Sequence, residues 1–357
     1  MKIIIFAGGT GKRFWPASRK QSPKQFLPVI GDQPLLLLKY EYLRRGFEAQ
    51  DIFISTGIQY ENEVRDLIPE LPDENFIFEP MMRDTGPAIA LASCYVNKLF
   101  PDETISLQWS DHYIKRPDVF VSALKEAERL VNEEGRAVNI AEKPRFPTPH
   151  RGYLKYGKHI KSVNQHHVLC EFVRFMEKPT LKVAKEYLRS GDYSWNLGYW
   201  VLKPKHLFAK YKDFAPQILS VAEEIVNSDF SKESTDKFAE LDKTSFEYIF
   251  SENCEPSETY VMNTNMGWYD VGEWISLKET LEEDPQDVVT QGNVIDIDSK
   301  DTLIYNSSQK SLVATINLDG LVVVNTDDVV AIFPKDDNAQ LKELLKRLEE
   351  NGREEYL

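Results

Sequence analysis

Short apolar runs separated by segments with helical spacing organise the first 140 residues. An unbroken, isoleucine-rich apolar run covers residues 2–7, which is typical of a strand buried on both faces of a parallel sheet. Similar short runs predict further strands at 51–55, 75–78, 104–107 and 137–140. Segments with helical spacing lie between the strands, at 34–45, 86–99 and 119–131. Strand and helix alternate, so the pattern predicts a doubly wound α/β sheet.

The pattern of apolar and polar residues changes along the rest of the chain. An extended stretch at 166–175 and helices at 181–189 and 218–226 continue a mixed region, whereas 287–333 contains short Val/Ile runs broken by Gly, Asn and Asp. That last pattern predicts a small all-β unit. A terminal helix follows, because leucines at 341, 344, 345 and 348 share one face, with Asp337 or Asn338 at its start and Gly352 at its end. Two domains are expected, 1–286 and 287–357.

Composition narrows the class of protein. The 357 residues include 57 acidic and 43 basic side chains, a formal net charge of -14 that argues against nucleic-acid binding. The three cysteines lie far apart and in no metal-ligand spacing, which favours a reducing compartment. The apolar start is too short for a signal peptide, and no apolar run approaches the ~18 residues of a membrane span. The sequence therefore predicts a soluble, cytoplasmic protein with no membrane partner.

The glycine-rich segment at 6–26 is the most informative part of the chain. It begins like a dinucleotide-binding GxGxxG pattern, but Phe14 stands where the third glycine belongs. It also resembles a P-loop at Gly11-Lys12, yet Arg13 replaces the Ser or Thr that would hold magnesium. A tight turn after a strand would by itself account for the glycines.

Charge distinguishes this segment from a simple turn. Residues 1–31 contain six basic and no acidic side chains, so the rest of the chain carries -20. A glycine loop lets backbone N–H groups approach a polyanion, and nearby Lys and Arg neutralise it. This combination predicts a site for a nucleoside triphosphate, although Lys2 and Lys20 are better explained as solvated surface residues.

The stretch GGTGKRFWPASRKQSPKQF resembles the GGxGxRxWPxSRxxxPKQ signature of the sugar-phosphate nucleotidyltransferase family, and its WPxSR and PKQF parts resemble the mannose-1-phosphate guanylyltransferase group. The resemblance implies transfer of a nucleotidyl group from GTP to a hexose 1-phosphate, most simply mannose 1-phosphate, with release of pyrophosphate. It implies a Rossmann-like, doubly wound mixed sheet, followed by a small left-handed β-helix-like unit that mediates homodimer contacts. It also implies the short form of the family, without an isomerase domain. Phosphate-binding residues implied are Gly8, Gly9, Thr10, Gly11 and Lys12, with Arg13 and Lys24 as catalytic cations.

Two aspartates are the candidate metal ligands. Nucleotidyl transfer between two anions is mainly a problem of positioning and charge, and one Mg²⁺ held by one or two carboxylates and the substrate phosphates suits it. Asp111 follows a predicted strand and could simply cap a loop, while Asp270 could simply be a turn residue before Gly272. The family has matching (A/S)DH and GW(S/Y)DVG(S/T)W motifs, which implies that both aspartates bind metal and that Ser110 contacts the nucleotide.

Further motifs imply the remaining contacts. FMEKP at 175–179 resembles the family's F(V/M)EKP, so Glu177 would bind sugar hydroxyls and Lys178 the sugar phosphate, although an exposed Glu-Lys pair is common surface chemistry. WNLG at 195–198 resembles WNSG and implies a sugar contact for Asn196. The stretch at 79–90 resembles EPxxRNTAPAIA and implies that Arg83 and Thr85 lie beside the base. Gly152 and Tyr153 match the family's PxTGYGYI, which lies by the sugar.

Several positions depart from the family pattern. Asp84 and Gly86 replace Asn and Ala beside the base, Trp109 replaces a small residue or proline, and Leu197 replaces a serine. In the sugar segment, His150 and Arg151 stand in place of the usual residues. Three interpretations therefore remain open: a guanylyltransferase, a transferase that uses another nucleotide or hexose 1-phosphate, and a catalytically silent homologue that binds a nucleotide sugar.

Overall fold

The computed structural model describes residues 1–9, 11–19 and 22–357. They pack as two compact units that do not follow chain order. The first unit comprises Met1–Gly8, Tyr40–Trp109 and Ile114–Trp268, and the second comprises Gly9–Lys39, Ser110–Tyr113 and Tyr269–Leu357. The boundary expected at 286/287 stays a prediction.

One large mixed sheet forms the centre of the first unit. Its strands are β1 Lys2–Phe6, β2 Ile52–Gly57, β3 Phe76–Glu79, β4 Ile105–Trp109, β6 Ala137–Glu142, β7 Tyr153–Ser162, β8 His167–Met176, β9 Tyr193–Leu202 and β10 Thr259–Thr264. The order across the sheet is β3-β2-β1-β4-β9-β6-β10-β8-β7. A separate two-stranded ribbon pairs β5 His112–Ile114 with β11 Trp268–Asp270.

The parallel half of the sheet confirms the pattern predicted from the first apolar runs. β1 pairs in parallel with both β2 and β4, and its Ile3, Ile4 and Ile5 are fully buried. Burial on both faces is the reason that this strand contains no polar alternation. β9 then runs antiparallel to both β4 and β6, which makes the sheet mixed.

Helices connect the strands, and several of them pack against the sheet. They are α1 Leu35–Arg44, α2 Glu61–Leu67, α3 Thr85–Leu99, α4 Pro117–Glu134, α5 Leu181–Ser190, α6 Pro204–Phe214, α7 Pro216–Asn227, α8 Lys232–Phe238 and α9 Phe246–Ile249. The core of the first unit combines α3, α6, α7 and α9 with the faces of β1 and β4. Because α3 is apolar nearly all round, it is buried within this core.

The second unit contains the small all-β region and the terminal helix. Its elements are α10 Trp274–Leu281, β12 Val289–Gln291, β13 Val294–Ile297, β14 Leu303–Asn306, β15 Val313–Ile316, β16 Leu321–Asn325, β17 Val330–Pro334 and α11 Asn338–Glu350. Successive coils stack in parallel, β12 on β14 on β16 and β13 on β15, and antiparallel β17 closes the stack. This arrangement confirms the β-helix-like expectation. The side chain of Asp337 caps α11 by accepting a bond from the Gln340 N–H.

The leucine face of α11 packs only in part. Leu341 is 5% exposed and belongs to a core that includes Phe14, Trp15, Val271 and Trp274, whereas Leu344 is 41% exposed. Across the described ranges, none of the helices combines the length and the apolar character needed to cross a bilayer.

Candidate active site

The glycine-rich loop has the backbone that its sequence requires. Gly9 and Gly11 have positive φ values of 104° and 61°, a region that residues with a Cβ rarely adopt. A Cβ at Gly11 would also lie 2.9 Å from the backbone nitrogen of Lys24, whereas a Cβ at Gly8 or Gly9 would meet nothing within 4 Å. The loop is therefore held tightly at Gly11 and is open to an approaching ligand at Gly8 and Gly9.

The basic residues of the loop have different surroundings. The Arg13 side chain is exposed, whereas Lys24 is buried. Thr10 lies outside the described residues, as does the side chain of Lys12. A direct phosphate contact by any of these residues stays a prediction.

Lys24 joins the two aspartate motifs. Its ammonium donates to Asp111 Oδ2 at 2.8 Å and to the Val271 carbonyl at 2.6 Å. The Val271 N–H in turn donates to the Asp111 carbonyl at 3.3 Å. The structure thus brings together the loop, the aspartate that follows β4 and the residue after Asp270, as a common site requires. Ser110, beside Asp111, is buried.

The charges around Asp111 fix its ionisation. Burial opposes ionisation of this carboxyl, but Lys24 and His112 outweigh it and hold its pKa well below the ordinary value. Burial lowers the pKa of His112 to about 4, against the opposing pull of Asp111 and Asp270. His112 is therefore neutral at physiological pH, and Asp111 is a carboxylate.

Lys39 is a basic residue of this region that sequence reasoning missed. It is fully buried on α1, and burial lowers its pKa to about 7, with Asp111 opposing the shift. The available signal was a single charge within the apolar helical run LLLLKY at 35–40, because a charged side chain is rarely buried without a functional or electrostatic reason.

The donor set suits a hard divalent cation. Asp111 offers an ionised, partly exposed carboxylate, and Asp270 lies on β11 next to the residue that binds Lys24. Among the described residues, no group of three or more His, Cys, Asp or Glu side chains is placed to hold a metal. Mg²⁺ commonly takes one or two protein carboxylates and completes its shell with water and phosphate oxygens, so two aspartates are a fitting protein contribution.

The start of α3 explains two departures from the family pattern. Asp84 has a φ of 70° and caps the helix, its Oδ1 accepting from the Thr85 N–H at 2.7 Å. Gly86 donates its N–H to the Thr244 carbonyl, and an added Cβ there would lie 2.5 Å from that same oxygen. Thr85 Oγ1 accepts from the Phe246 N–H at 2.8 Å, and Arg83 precedes the cap. The segment before α9 thus fixes this helix end.

Three of the residues implied in sugar binding come together within the first unit. The Asn196 N–H donates to the Gly152 carbonyl at 2.9 Å, and a Cβ at Gly152 would lie 2.9 Å from Glu177 Oε2. Asn196 Oδ1 also accepts from the Gly198 N–H at 3.2 Å. Gly198 has no room for a side chain because the Trp109 indole packs on it and donates to its carbonyl at 3.2 Å, so Trp109 supports the WNLG turn.

Lys178 and Tyr153 differ in accessibility. Lys178 is 64% exposed and pairs with Glu177 Oε1 at 2.9 Å, and its hydrogen bond to Glu177 raises its pKa, so it remains a cation. Tyr153 is fully buried, and its hydroxyl donates to the Thr148 carbonyl at 3.1 Å. The Tyr153 side chain therefore closes the 148–153 turn, and its contact with a sugar stays a prediction.

Arg151 occupies an aromatic cluster beside these residues. Its guanidinium lies 4.4 Å from the ring centroid of Trp195, 4.9 Å from that of Trp268 and 5.3 Å from that of Phe146. Such stacking is favourable for Arg because its planar cation meets the negative faces of the rings. The departure at Arg151 thus places a fixed cation next to the Trp195-Asn196 backbone.

Two glutamates are buried at strand ends of the first unit, and sequence analysis assigned neither of them to the site. Glu142, at the end of β6, accepts from the Met266 and Trp268 N–H groups and pairs with Arg145 at 3.0 Å. Glu79, at the end of β3, is 5% exposed, and burial raises its pKa to about 7 despite a bond from the Ser55 hydroxyl at 3.2 Å. Each is the last residue of its strand, at the end of the sheet where ligands bind in α/β proteins, and this position is the signal for Glu142, whereas Glu79 also begins the stretch at 79–90 that resembles the family motif.

Family comparisons cover most of the chain. Residues 2–287 match the nucleotidyl transferase family. Residues 292–348 match the mannose-phosphate isomerase/GMP-like β-helix domain. The two matches together account for the mixed-sheet region and for the stacked β coils.

Two named relatives match nearly the full length of this chain and about three quarters of their own length. The mannose-1-phosphate guanylyltransferase of Klebsiella pneumoniae is 32% identical, over 99% of this chain and 75% of its own length. The xanthan biosynthesis protein XanB of Xanthomonas campestris is 31% identical, over 99% of this chain and 74% of its own length.

Among solved structures, the fold is similar to that of mannose-1-phosphate geranyltransferase from Thermus thermophilus. The TM-score is 0.86 at 28% sequence identity, and the match covers 98% of this chain and 99% of the other. The likeness therefore includes both the mixed sheet and the β-helix-like region.

Proposed function

The chain belongs to the nucleotidyl transferase family of enzymes, and we propose that it transfers a guanylyl group from GTP to mannose 1-phosphate, giving GDP-mannose and pyrophosphate. The observation that carries the proposal is the meeting of three separated motifs at the Lys24 ammonium, which contacts Asp111 and the Val271 carbonyl. Two relatives that match 99% of this chain are named as mannose-1-phosphate guanylyltransferases, which supports the choice of substrates.

The proposed reaction needs positioning and charge balance. A phosphate oxygen of the sugar phosphate attacks the α-phosphorus in line, the new P–O bond forms, and the bond to pyrophosphate breaks with its electron pair on the leaving group. The protein contributes no nucleophile to this step. The open backbone at Gly8 and Gly9 binds the triphosphate together with Thr10, Gly11 and Lys12, and Arg13 and Lys24 supply positive charge.

Asp111 and Asp270 would hold one Mg²⁺. When bound, the ion offsets negative charge on the phosphates. The ionised state of Asp111 supports this role, because its carboxylate is available as a ligand without loss of a proton. Lys24 keeps this carboxylate oriented and links it to the Val271 backbone.

The first unit supplies the proposed sugar and base contacts. Asn196, Gly152 and Glu177 are adjacent in the structure, so we assign them and the Tyr153 segment to the sugar, and the exposed Lys178 cation to its phosphate. Arg83 and Thr85 at the start of α3 are assigned to the nucleotide, as is Ser110 of the second unit.

A homodimer through the C-terminal region completes the proposal. Ile295, Ile297 and Ile316 on β13 and β15 are 57%, 51% and 63% exposed, and β13 and β15 pair so that Ile297 lies opposite Ile316. An exposed apolar face of this kind favours association. Ile297→Lys should convert the protein from dimer to monomer in sedimentation equilibrium, whereas a monomeric unsubstituted protein would contradict the proposal.

We also infer a cytoplasmic location. Cys94, Cys170 and Cys254 are free thiols, which agrees with a reducing compartment, and GTP is the expected donor. Immunodetection in fractionated cells tests the location directly.

Pyrophosphate release across a grid of substrates tests the activity. The grid combines GTP, ATP, UTP, CTP and dTTP with the 1-phosphates of mannose, glucose, fucose and N-acetylglucosamine, with magnesium and with a chelator. The GTP and mannose 1-phosphate pair should give the highest kcat/KM, and the chelator should stop turnover. A different best pair would overturn the substrate assignment, and binding of GDP-mannose without turnover of any pair would identify a silent homologue.

A further inference from the structure

Residues 14–19, here called the signature segment, are bonded to the C-terminal part of the second unit. The segment follows the open glycines of the nucleotide loop and contains Trp15 and Arg19. Its partners are Asp328, between β16 and β17, and the single helical turn Glu354–Tyr356. These contacts take no part in the reaction described above.

Arg19 uses each of its three guanidinium nitrogens in this attachment. Nε donates to the Pro16 carbonyl at 2.8 Å, Nη1 to the Glu355 carbonyl at 3.4 Å, and Nη2 to Asp328 Oδ1 at 2.8 Å. The side chain is only 17% exposed. One of the basic residues of the acid-free N-terminal region is thus bound to the protein itself, and its charge is balanced by Asp328.

Trp15 provides a second attachment. Its indole Nε1 donates to the Tyr356 carbonyl at 2.6 Å, and its own carbonyl accepts from the Trp274 indole at 2.9 Å. Trp15 is 6% exposed and lies in the same apolar core as Leu341 of α11. The attachment therefore combines a buried ring with two directional bonds.

The signature segment is coupled to the nucleotide loop through short bonds. The Gly11 carbonyl accepts two hydrogen bonds, one from the Ser18 hydroxyl at 2.5 Å and one from the Phe14 N–H at 2.8 Å. Gly11 packs so closely on Lys24 that a Cβ would not fit. A shift of residues 15–19 would consequently move Gly11 and disturb its packing against Lys24.

From this geometry we propose that Trp15 and Arg19 are positioning residues, through which Asp328 and the Glu354–Tyr356 turn hold the nucleotide loop in its triphosphate-binding form. The inference rests on the proposed function, because its kinetic consequence is a change in affinity for GTP. The attachment lowers the cost of ordering the loop on binding, so its loss weakens nucleotide binding and leaves the sugar contacts of the first unit unchanged.

Hydrogen exchange tests the structural part without any substrate. In the full chain, Asp328→Asn and Trp15→Phe should each speed amide exchange in peptides covering 9–26, while peptides from β1 and β4 keep their rates. Asp327→Asn is the matched control, since the neighbouring carboxylate bonds to the Ser308 hydroxyl and not to the loop. Unchanged exchange in 9–26 for both variants would overturn the proposal.

Kinetics test the positioning role itself. Asp328→Asn should raise KM for GTP about threefold to fivefold, because the variant keeps the oxygen acceptor but loses the charge of an ion pair whose carboxylate is half-exposed, with kcat and KM for mannose 1-phosphate within about twofold. Asp328→Glu, which keeps the charge, should restore most of the affinity. Faster exchange without a change in KM for GTP would refute the positioning role. If no substrate pair turns over while exchange responds as expected, the proposed function fails and the attachment of the loop stands.

Discussion

The Lys24 ammonium lies 2.8 Å from the Asp111 carboxylate, although 87 positions separate the two residues in the chain. The same ammonium binds the carbonyl of Val271. Lys24, a buried cation of the glycine-rich segment, therefore contacts both Asp111, which follows a central strand, and Val271, the neighbour of Asp270. Each motif alone has an ordinary structural explanation, whereas their contact at a single charge does not.

Removal of either candidate metal carboxylate should stop the reaction. Asp111→Asn and Asp270→Asn keep the size of the side chain but lose the charge that Mg²⁺ requires, and we expect kcat to fall by about a thousandfold. Pyrophosphate release measures the effect, and circular dichroism checks that the fold is retained. Asp118→Asn, at an exposed surface pair with Arg45, is the control and should keep the original rate. Unchanged rates in either site variant would refute the metal role.

Arg151→Ala should weaken binding of the sugar phosphate selectively. The variant removes the cation stacked on Trp268 and on Trp195, the residue directly before Asn196. Cation–π contacts contribute about 1 kcal/mol, so KM for mannose 1-phosphate should rise about fivefold. Initial rates at varied sugar phosphate and at varied GTP distinguish the effects, since KM for GTP should not change. An equal rise in both constants would show that Arg151 only stabilises the fold.

Gly86→Ala should destabilise the protein even though the family pattern has alanine at this position. The new methyl group would lie 2.5 Å from the Thr244 carbonyl oxygen, and relief of such overpacking costs about 1–3 kcal/mol. Urea denaturation measures the loss in the free energy of unfolding. Gly135→Ala, at a left-handed helix end with no atom within 4 Å of the new methyl, gives the effect of backbone strain alone. A smaller loss for Gly86→Ala than for Gly135→Ala would contradict the packing argument.

Glu79 should make stability depend on pH. Its pKa rises from 4.5 in the unfolded chain to about 7 in the folded protein, so the folded protein binds more protons between these values and the free energy of unfolding falls as pH rises from about 4.5 to 7. The full effect is on the order of 3 kcal/mol.

Glu79→Gln should remove this part of the pH dependence. The amide cannot ionise but can still accept from the Ser55 hydroxyl. Urea denaturation at pH 5 and pH 7.5 should show a smaller difference for the variant than for the unsubstituted protein. Glu74→Gln changes an exposed neighbour and should leave this difference in the free energy of unfolding unchanged. The same difference in all three proteins would disprove the pKa shift at Glu79.

The parallel half of the fold could be predicted because strands buried on both faces appear in the sequence as unbroken apolar runs. β1, β2, β3, β4 and β6 all coincide with short apolar runs, and α3 and α4 with helical spacing between them. The insertion of β9 between β4 and β6 could not be predicted in this way. Long-range packing determines which strands pair in antiparallel fashion. A period-two or apolar pattern predicts that a segment is a strand, but it does not predict its neighbours in the sheet.

The site shows the same division between local and long-range information. Gly9 and Gly11 have the positive φ values that glycine readily adopts, and the resemblance to two family motifs made Asp111 and Asp270 candidate metal ligands. In contrast, the pKa shifts of Lys39 and Glu79 depend on burial that only the folded chain creates. The hydroxyl of Tyr153 closes the turn at Thr148 for the same reason: which side of a residue faces a ligand is decided by tertiary packing.

The interleaving of the two units has a consequence for biosynthesis. The chain passes from one unit to the other after Gly8, Lys39, Trp109, Tyr113 and Trp268, and the second core joins Phe14 and Trp15 to Leu303 and Leu341. A ribosome that has made only the first 300 residues has supplied Trp274, whose ring packs on Phe14, but not yet Leu303 or Leu341 of the same core. Since domains generally fold as their chains emerge, the core around Phe14 and Trp15 stays incomplete until translation is nearly finished, and the second unit folds later than the order of its first residues implies.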